Sequence, residues 1–341
     1  MRITLNDVAK RAGVSRNTVS LVVNGKYDKV KEETRERVED VIQEMGYVPN
    51  FAARQLTGKR TKTLGVILPP LRNAFSFYNM SEMSSGISDA AGAQGYNLMF
   101  FVCNERFKQG LNIRLLKDSR IDGGLILDNG RLVIHNIEEL ERDEIPFVIL
   151  NYRLERPKTN YVAIDKEHGS YLAVKHLIDL GHRRIGFING SLPQHIEERF
   201  YGYRRALDEA GINLDPECVV TVTEGWVEKT GYEAADMLLE LPQPPTSIVT
   251  SSDLIAIGVY KRLKEKGLRV PEDISVIGYD DIPIARYQDP PLTTIRQPYY
   301  DLGVKAVDIL MRFIKNRDQK SVHESIKPIL VNRASCSYPP R

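Results

Sequence analysis

The 341 residues are 42% hydrophobic and 27% charged with a net charge of +2, an ordinary globular composition in a chain longer than one core usually organises. No apolar run approaches the roughly 20 residues that span a bilayer. Met1 is followed by Asn6, Asp7 and Lys10 rather than by a basic stub and an apolar stretch, so neither a membrane span nor a secretory signal is read and the cytoplasm is the expected location. Three scattered cysteines, Cys103, Cys218 and Cys336, lack metal-ligand spacing and are expected as free thiols, with no metal and no cofactor implied.

The charge is uneven: residues 1–60 hold 12 Lys and Arg against 8 Asp and Glu, and residues 1–31 hold 7 against 2, a local field suited to a polyanion. Thr4 and Asp7 have the spacing of a capping box, with Leu5, Val8, Ala9 and Ala12 forming one apolar face before Gly13 breaks the helix. Ser15 restarts a helix with Thr18 three residues on, Val19, Val22 and Val23 face inward, and Gly25 ends it. A third helix is predicted from about Lys31 to Met45, with Val38, Val41, Ile42 and Met45 at helical spacing and Gly46 after it. Three short helices of this kind bury one small core. After Pro49, Asn50 can cap a helix of about two turns, too short to be stable alone, before the basic stretch Lys59, Arg60 and Lys62.

From Leu64 onward the pattern changes to apolar runs, LGVIL, YNLMFFV, GGLILD, FVILN, RIGFIN, TSIVTSS and SVIGYD, set between helical stretches. That alternation predicts mostly parallel sheets with crossover helices. Gly86 to Gly95, Gly202 to Gly211 and Gly258 to Gly267 each frame nine steps of helix, a weak repeat that fits two doubly wound lobes built on one plan. In such sheets ligands sit beyond the carboxyl ends of the strands. The residues placed there are Phe75, Phe77 and Tyr78, then Arg199, then Trp226, then Ser252 and Asp253, then Asp280 and Asp281. Rings that stack on a sugar face, with charged groups for its hydroxyls, draw on this inventory.

The order of these features resembles the lactose-repressor (LacI/GalR) family of bacterial transcription regulators over nearly the whole chain. TLNDVAKRAGVSRNTVSLVVNG is similar to its helix-turn-helix, ETRERVEDVIQEMGYVPN to its third helix and AARQL to its hinge helix. HLIDLGHRRIGFI, ERFYGYRRAL, PEDISVIGYDDIPIARY and PPLTTIRQP are similar to its effector-binding body. The resemblance implies an all-α helix-turn-helix headpiece at residues 1–48, a hinge helix and linker at 49–61, and at 62–341 an α/β two-lobed, periplasmic-binding-protein-like (type I) core of doubly wound parallel sheets. The N-lobe is expected at about 62–160 and 292–320, the C-lobe at about 161–291 and 321–341.

It further implies that Arg16, Asn17 and Leu21 face base edges. Arginine donates two bonds to guanine and asparagine bridges adenine, whereas Leu21 departs from the polar residue often found there and offers an apolar contact. Ser15, Thr18, Asn24, Tyr47 and Asn50 match positions that touch phosphate or prepare helix ends. Leu56, beside Ala53, matches the family's minor-groove wedge, at which two hinge helices pair and kink the duplex. Double-stranded, palindromic operator DNA, a homodimer and a small-molecule effector, a sugar or its derivative, are the implied partners, and a phosphoprotein co-regulator is compatible with the family. Arg199, Trp226 and Asp280 carry effector-contact roles, with Asp253, Ser252 and Phe75 beside them. Ser252 stands where the family often has asparagine, and so does Lys166 after Asp165.

The function read from this is repression of carbohydrate uptake or utilisation genes under effector control. Two other classes fit less well. A solute-binding protein would need a signal peptide and has no use for the first 60 residues. A carbohydrate-active enzyme would need paired carboxylates flanking one bond, whereas adjacent Asp280 and Asp281 point apart and no GxGxxG, Walker, HExxH or GxSxG stretch is present.

Overall fold

The computed structural model describes residues 3–23, 25–47, 60–68, 78–102, 116, 120–127, 134–154, 156–190, 193–222, 225, 227–316 and 320–340. The chain divides into two compact units, Met1–Thr61 and Lys62–Arg341. In the first, Thr4 and Asp7 close the expected capping box on α1 (Leu5–Ala12): the Thr4 amide donates to Asp7 Oδ2 at 2.8 Å and the Asp7 amide to Thr4 Oγ1 at 3.4 Å. Gly13 leaves the helix at a φ of 66°, a conformation that glycine adopts without a Cβ penalty. α2 (Arg16–Val23) and α3 (Glu32–Met45) follow, separated by a 3-10 turn at Tyr27–Lys29. Val8, Ala12, Val19, Val22, Val38 and Tyr47 bury the common core.

The second unit contains two six-stranded sheets. The first is made of β1 (Thr63–Leu68), β2 (Asn97–Val102), β3 (Gly123–Leu127), β4 (Phe147–Leu150), β5 (Tyr161–Ile164) and β11 (His323–Ile326), in the order β11-β5-β4-β3-β1-β2. The second is made of β6 (Ile185–Gly190), β7 (Val219–Val222), β8 (Ser247–Thr250), β9 (Ser275–Asp280), β10 (Thr293–Arg296) and β12 (Ile329–Val331), in the order β12-β10-β9-β8-β6-β7. All pairings are parallel except β10 with β12. The central strands are buried on both faces, which is why LGVIL and GGLIL read as continuous apolar runs rather than alternating ones.

The lobe boundaries differ from those expected. Tyr161–Ile164 and His323–Ile326 belong to the first sheet and Thr293–Arg296 to the second, so the chain crosses between lobes after β5, after β10 and after β11. Short strands at a seam pair with whichever edge they meet, and local sequence does not say which.

The glycine repeat has a packing cause. Gly86 lies in α4 (Tyr78–Ala93), where a Cβ would stand 2.1 Å from the carbonyl oxygen of Tyr300 on α10 (Tyr299–Lys315). After α5 (Ile134–Arg142) the pattern recurs twice. Gly202, in α7 (Pro193–Glu209), would meet the Glu167 carbonyl of α6 (Lys166–Asp179) at 2.1 Å. Gly258, in α9 (Asp253–Glu265), would meet the Glu228 carbonyl of α8 (Glu228–Leu239) at 1.9 Å. Each helix thus touches a neighbour backbone to backbone. Nine residues later Gly95, Gly211 and Gly267, at φ 69°, 67° and 73°, end these helices in the left-handed conformation.

Cys218 is a buried free thiol and Cys336 a half-buried one, and burial pushes both up to about 11. Among the described residues no helix is long and apolar enough to cross a membrane, and no three His, Cys, Asp or Glu side chains are placed to share a metal ion.

Candidate DNA-reading surface and effector seam

Ser15 Oγ accepts the Thr18 amide at 3.1 Å and shares a 2.8 Å hydrogen bond with the Thr18 hydroxyl. This fixes the first turn of α2. Val19 and Val22 point into the core, so the same helix leaves Arg16 and Asn17 exposed on that turn and Leu21 half-exposed one turn on. Tyr47, expected at the phosphates, is a core residue with 7% of its surface exposed. It anchors the end of the headpiece, and its remaining surface alone faces outward. Asn24, Asn50, Ala53 and Leu56 lie outside the described residues.

In the larger unit, the carboxyl ends of strands from both sheets meet at the lobe crossovers. The Arg199 guanidinium lies 4.4 Å from the ring centroid of Tyr279, and the Tyr279 hydroxyl donates to the Lys166 carbonyl at 3.1 Å. Asp280, at the end of β9 with a φ of 120°, receives Gln297 Nε2 at 2.5 Å and the Tyr299 hydroxyl at 3.2 Å on Oδ1. Burial raises its carboxyl to about 6, against the opposing charge of Arg199. Arg199 and Asp280 are therefore electrostatic neighbours. Asn79, near the start of α4, also hydrogen-bonds Tyr299, so groups of both lobes converge on this one carboxylate.

Three residues expected around them occupy other roles or lie elsewhere. Asp253 is fully buried: the Thr294 hydroxyl donates to Oδ1 at 2.5 Å and the Ile282 amide to Oδ2 at 2.8 Å. Burial first, then the charge of Asp280, raises its carboxyl to about 7. It holds the 280–282 turn instead of reaching outward. Ser252 is the N-cap of α9, accepting the Leu254 amide at 3.1 Å, a task serine performs as well as asparagine. Asp281 turns away from Asp280 and pairs with Arg296 at 2.6 Å and Arg333 at 2.5 Å, so the two carboxylates do not face one another. Phe75 and Trp226 lie outside the described residues.

Gln297 and Tyr299 carry no site signal of their own in the sequence, although both stand in the QPYY stretch directly after TTIR, and Lys166 is visible there only as a departure from the family's asparagine. Lys166 is 2% exposed, donates to the Asn151 carbonyl at 3.0 Å and lies 3.6 Å from Glu198. Burial lowers its ammonium to about 8, which leaves it protonated at neutral pH.

A three-helix unit whose second helix has an exposed polar first turn, in one chain with a two-lobed core that buries charges at its lobe seam, defines a ligand-controlled DNA-binding regulator. Residues 4–50 match the model for bacterial regulatory proteins of the lacI family, and residues 174–336 match a periplasmic binding protein-like domain. The chain is 38% identical over 338 residues to the HTH-type transcriptional repressor PurR of Vibrio atlanticus (strain LGP32), covering 97% of this chain and 98% of that one. The lac repressor dimer bound to operator and the anti-inducer ONPF superposes with a TM-score of 0.85 at 29% identity, covering 99% of this chain and all of that one. The complex of the transcriptional regulator CelR with cellobiose gives 0.73 at 31% identity, covering 98% and 100%. The chain belongs to the LacI family of bacterial transcriptional regulators and is a DNA-binding repressor by class.

Proposed function

We propose that this repressor acts as a homodimer on a palindromic operator in the cytoplasm, and that a sugar or sugar derivative at the lobe seam controls its grip on genes for carbohydrate uptake or use. The observation that carries the DNA-binding reading is the first turn of α2, with Arg16 and Asn17 exposed above a helix locked by Ser15 and Thr18. In a helix-turn-helix the N-terminal end of the second helix enters the major groove, and these two side chains have the donors and acceptors that guanine and adenine edges require. Ser15 and Thr18 set register on the phosphates. Leu56 and Ala53 serve as the minor-groove wedge, with Asn24 and Asn50 at the backbone.

The inward-facing polar groups around Arg199 and Asp280 favour a free small molecule over a phosphoprotein co-regulator as the controlling partner. Trp226 and Phe75 supply its stacking faces. Selection of bound duplexes from a random pool, repeated with neutral sugars, sugar acids, sugar phosphates and purine bases present, tests the reading. A two-fold symmetric motif whose recovery one sugar changes is the expected result. No enrichment over bulk competitor at moderate salt, with or without ligand, overturns it.

A further inference from the structure

Next to Arg199 and Asp280 the seam holds a second polar group: Lys166 at the start of α6, Glu198 on α7 and Asn151 just past β4. Lys166 connects them, with Nζ donating to the Asn151 carbonyl at 3.0 Å and standing 3.6 Å from Glu198 Oε2. An ammonium has three donors, and among the described residues one carbonyl bond and a carboxylate at 3.6 Å leave some of that capacity unspent. Around it, among the described residues, three buried acceptors lack a hydrogen-bond partner: Asn151 Oδ1, Glu198 Oε2, which has only the ion pair to Lys166, and, further along the seam, Gln297 Oε1. A buried acceptor left without a donor loses its hydration with nothing in exchange. The group is thus short of protons to accept while still having one or two to give.

Charge narrows the ligand further. Among the described residues that act on this site, the cations Arg153, Lys166 and Arg199 are matched by the carboxylates Asp165, Glu198 and Asp280; Arg153 and Asp165 lie 3.1 Å apart. The ionised group of a sugar acid or phosphate ester would add an uncompensated buried charge and, where it stood in place of a hydroxyl, would bring only acceptors to groups that need donors. Hydroxyls both give and take.

We propose that Lys166, Glu198 and Asn151 form a hydroxyl-reading subsite, and that the effector is an uncharged polyhydroxylated molecule rather than a sugar acid or a sugar phosphate. Lys166 donates to one hydroxyl oxygen, while the ligand's O–H groups donate to Glu198 Oε2 and Asn151 Oδ1. Lysine in place of the family's frequent asparagine then sets specificity. This rests on the reading of the lobe seam as the effector site.

Titration calorimetry on the full-length protein tests it, using neutral pentoses, hexoses and disaccharides, each beside its uronate and phosphate ester, with hypoxanthine as a flat ligand that is not a polyol. The expected result is that a neutral sugar binds at least 10-fold more tightly than its charged derivatives. Lys166→Met and Glu198→Gln each weaken the neutral sugar about 10-fold or more, and Glu198→Gln also narrows the preference for neutral over phosphorylated ligand. A merely structural role for Glu198 would not move that ratio. Should Lys166→Met fail to fold by circular dichroism, Glu198→Gln, whose side chain is 26% exposed, decides alone. Tighter binding of a charged derivative or of hypoxanthine overturns the inference but leaves effector control standing, as does unchanged affinity and ratio in Glu198→Gln. Binding of nothing in the panel removes the sugar reading itself.

Discussion

Arg16 and Asn17 stand free because Ser15 and Thr18 satisfy the helix end and Val19 and Val22 hold the helix to its core. Replacing Arg16 with alanine is expected to lower specific affinity by about 1–3 kcal/mol and to relax preference at one base pair of each half-site. Binding measured on a set of singly substituted operators checks this; an equal loss on every sequence would mean a phosphate contact instead. Asp253 makes a prediction of a different kind. Its carboxyl is raised to about 7, so its contribution favours the folded state fully below the unfolded value near about 3.9 and is lost as pH rises through about 7. Asp280, raised to about 6, adds a slope of the same sign. Urea unfolding of Asp253→Asn from pH 4 to 8 should show a shallower decline with pH than the parent chain, and parallel curves would contradict the assigned burial.

At the level of elements, glycines of one type do opposite things. Gly258 lies where a Cβ would stand 1.9 Å from the Glu228 carbonyl, and that backbone atom has little freedom to retreat. Gly258→Ala should destabilise at the upper end of the roughly 1–3 kcal/mol that overpacking costs. Gly92, an exposed helical residue of α4 where a Cβ would meet nothing within 4 Å, should instead gain about 0.5–1 kcal/mol as alanine. Unfolding midpoints of the two variants provide the measurement, and loss of stability in both would contradict the packing. Strand legibility follows the same logic of surroundings. Runs buried on both faces, such as β1 and β3, are visible in the sequence, whereas β11, the half-exposed HESI, has no apolar signature and owes its existence to pairing with β5.

For the molecule as a whole, the proposed regulation is a coupling between seam and hinge. A difference of ~1–3 kcal/mol between ligand-bound and free states suffices for 5- to 150-fold changes in operator affinity. On the proposed reading, the folding of the hinge sequence, its pairing with a second copy and the bending of DNA form one equilibrium. Leu56→Ala should reduce the bend, read from gel mobility of circularly permuted operator fragments, and an unaltered angle would remove the wedge. Trp226→Ala should abolish the ligand-dependent change in operator binding in a gel-shift titration while sparing DNA binding itself. A normal response would exclude that ring from the effector site.

Caps, glycine exits, apolar periodicity and strand runs are local, so the headpiece, the two lobes built on one plan and the candidate reading residues Arg16 and Asn17 are legible along the chain. Which lobe each seam strand joins, and which polar side chains spend their bonds internally, depends on partners far apart in sequence. Asp253 is bonded to Thr294 and Ile282, and Asp280 to Gln297 and Tyr299. That Asp253 and Ser252 shape the seam, and that Lys166, Glu198 and Asn151 meet within it, emerges from the packing, because burial and hydrogen-bond satisfaction are properties of the folded molecule and leave no periodic trace in the order of its residues.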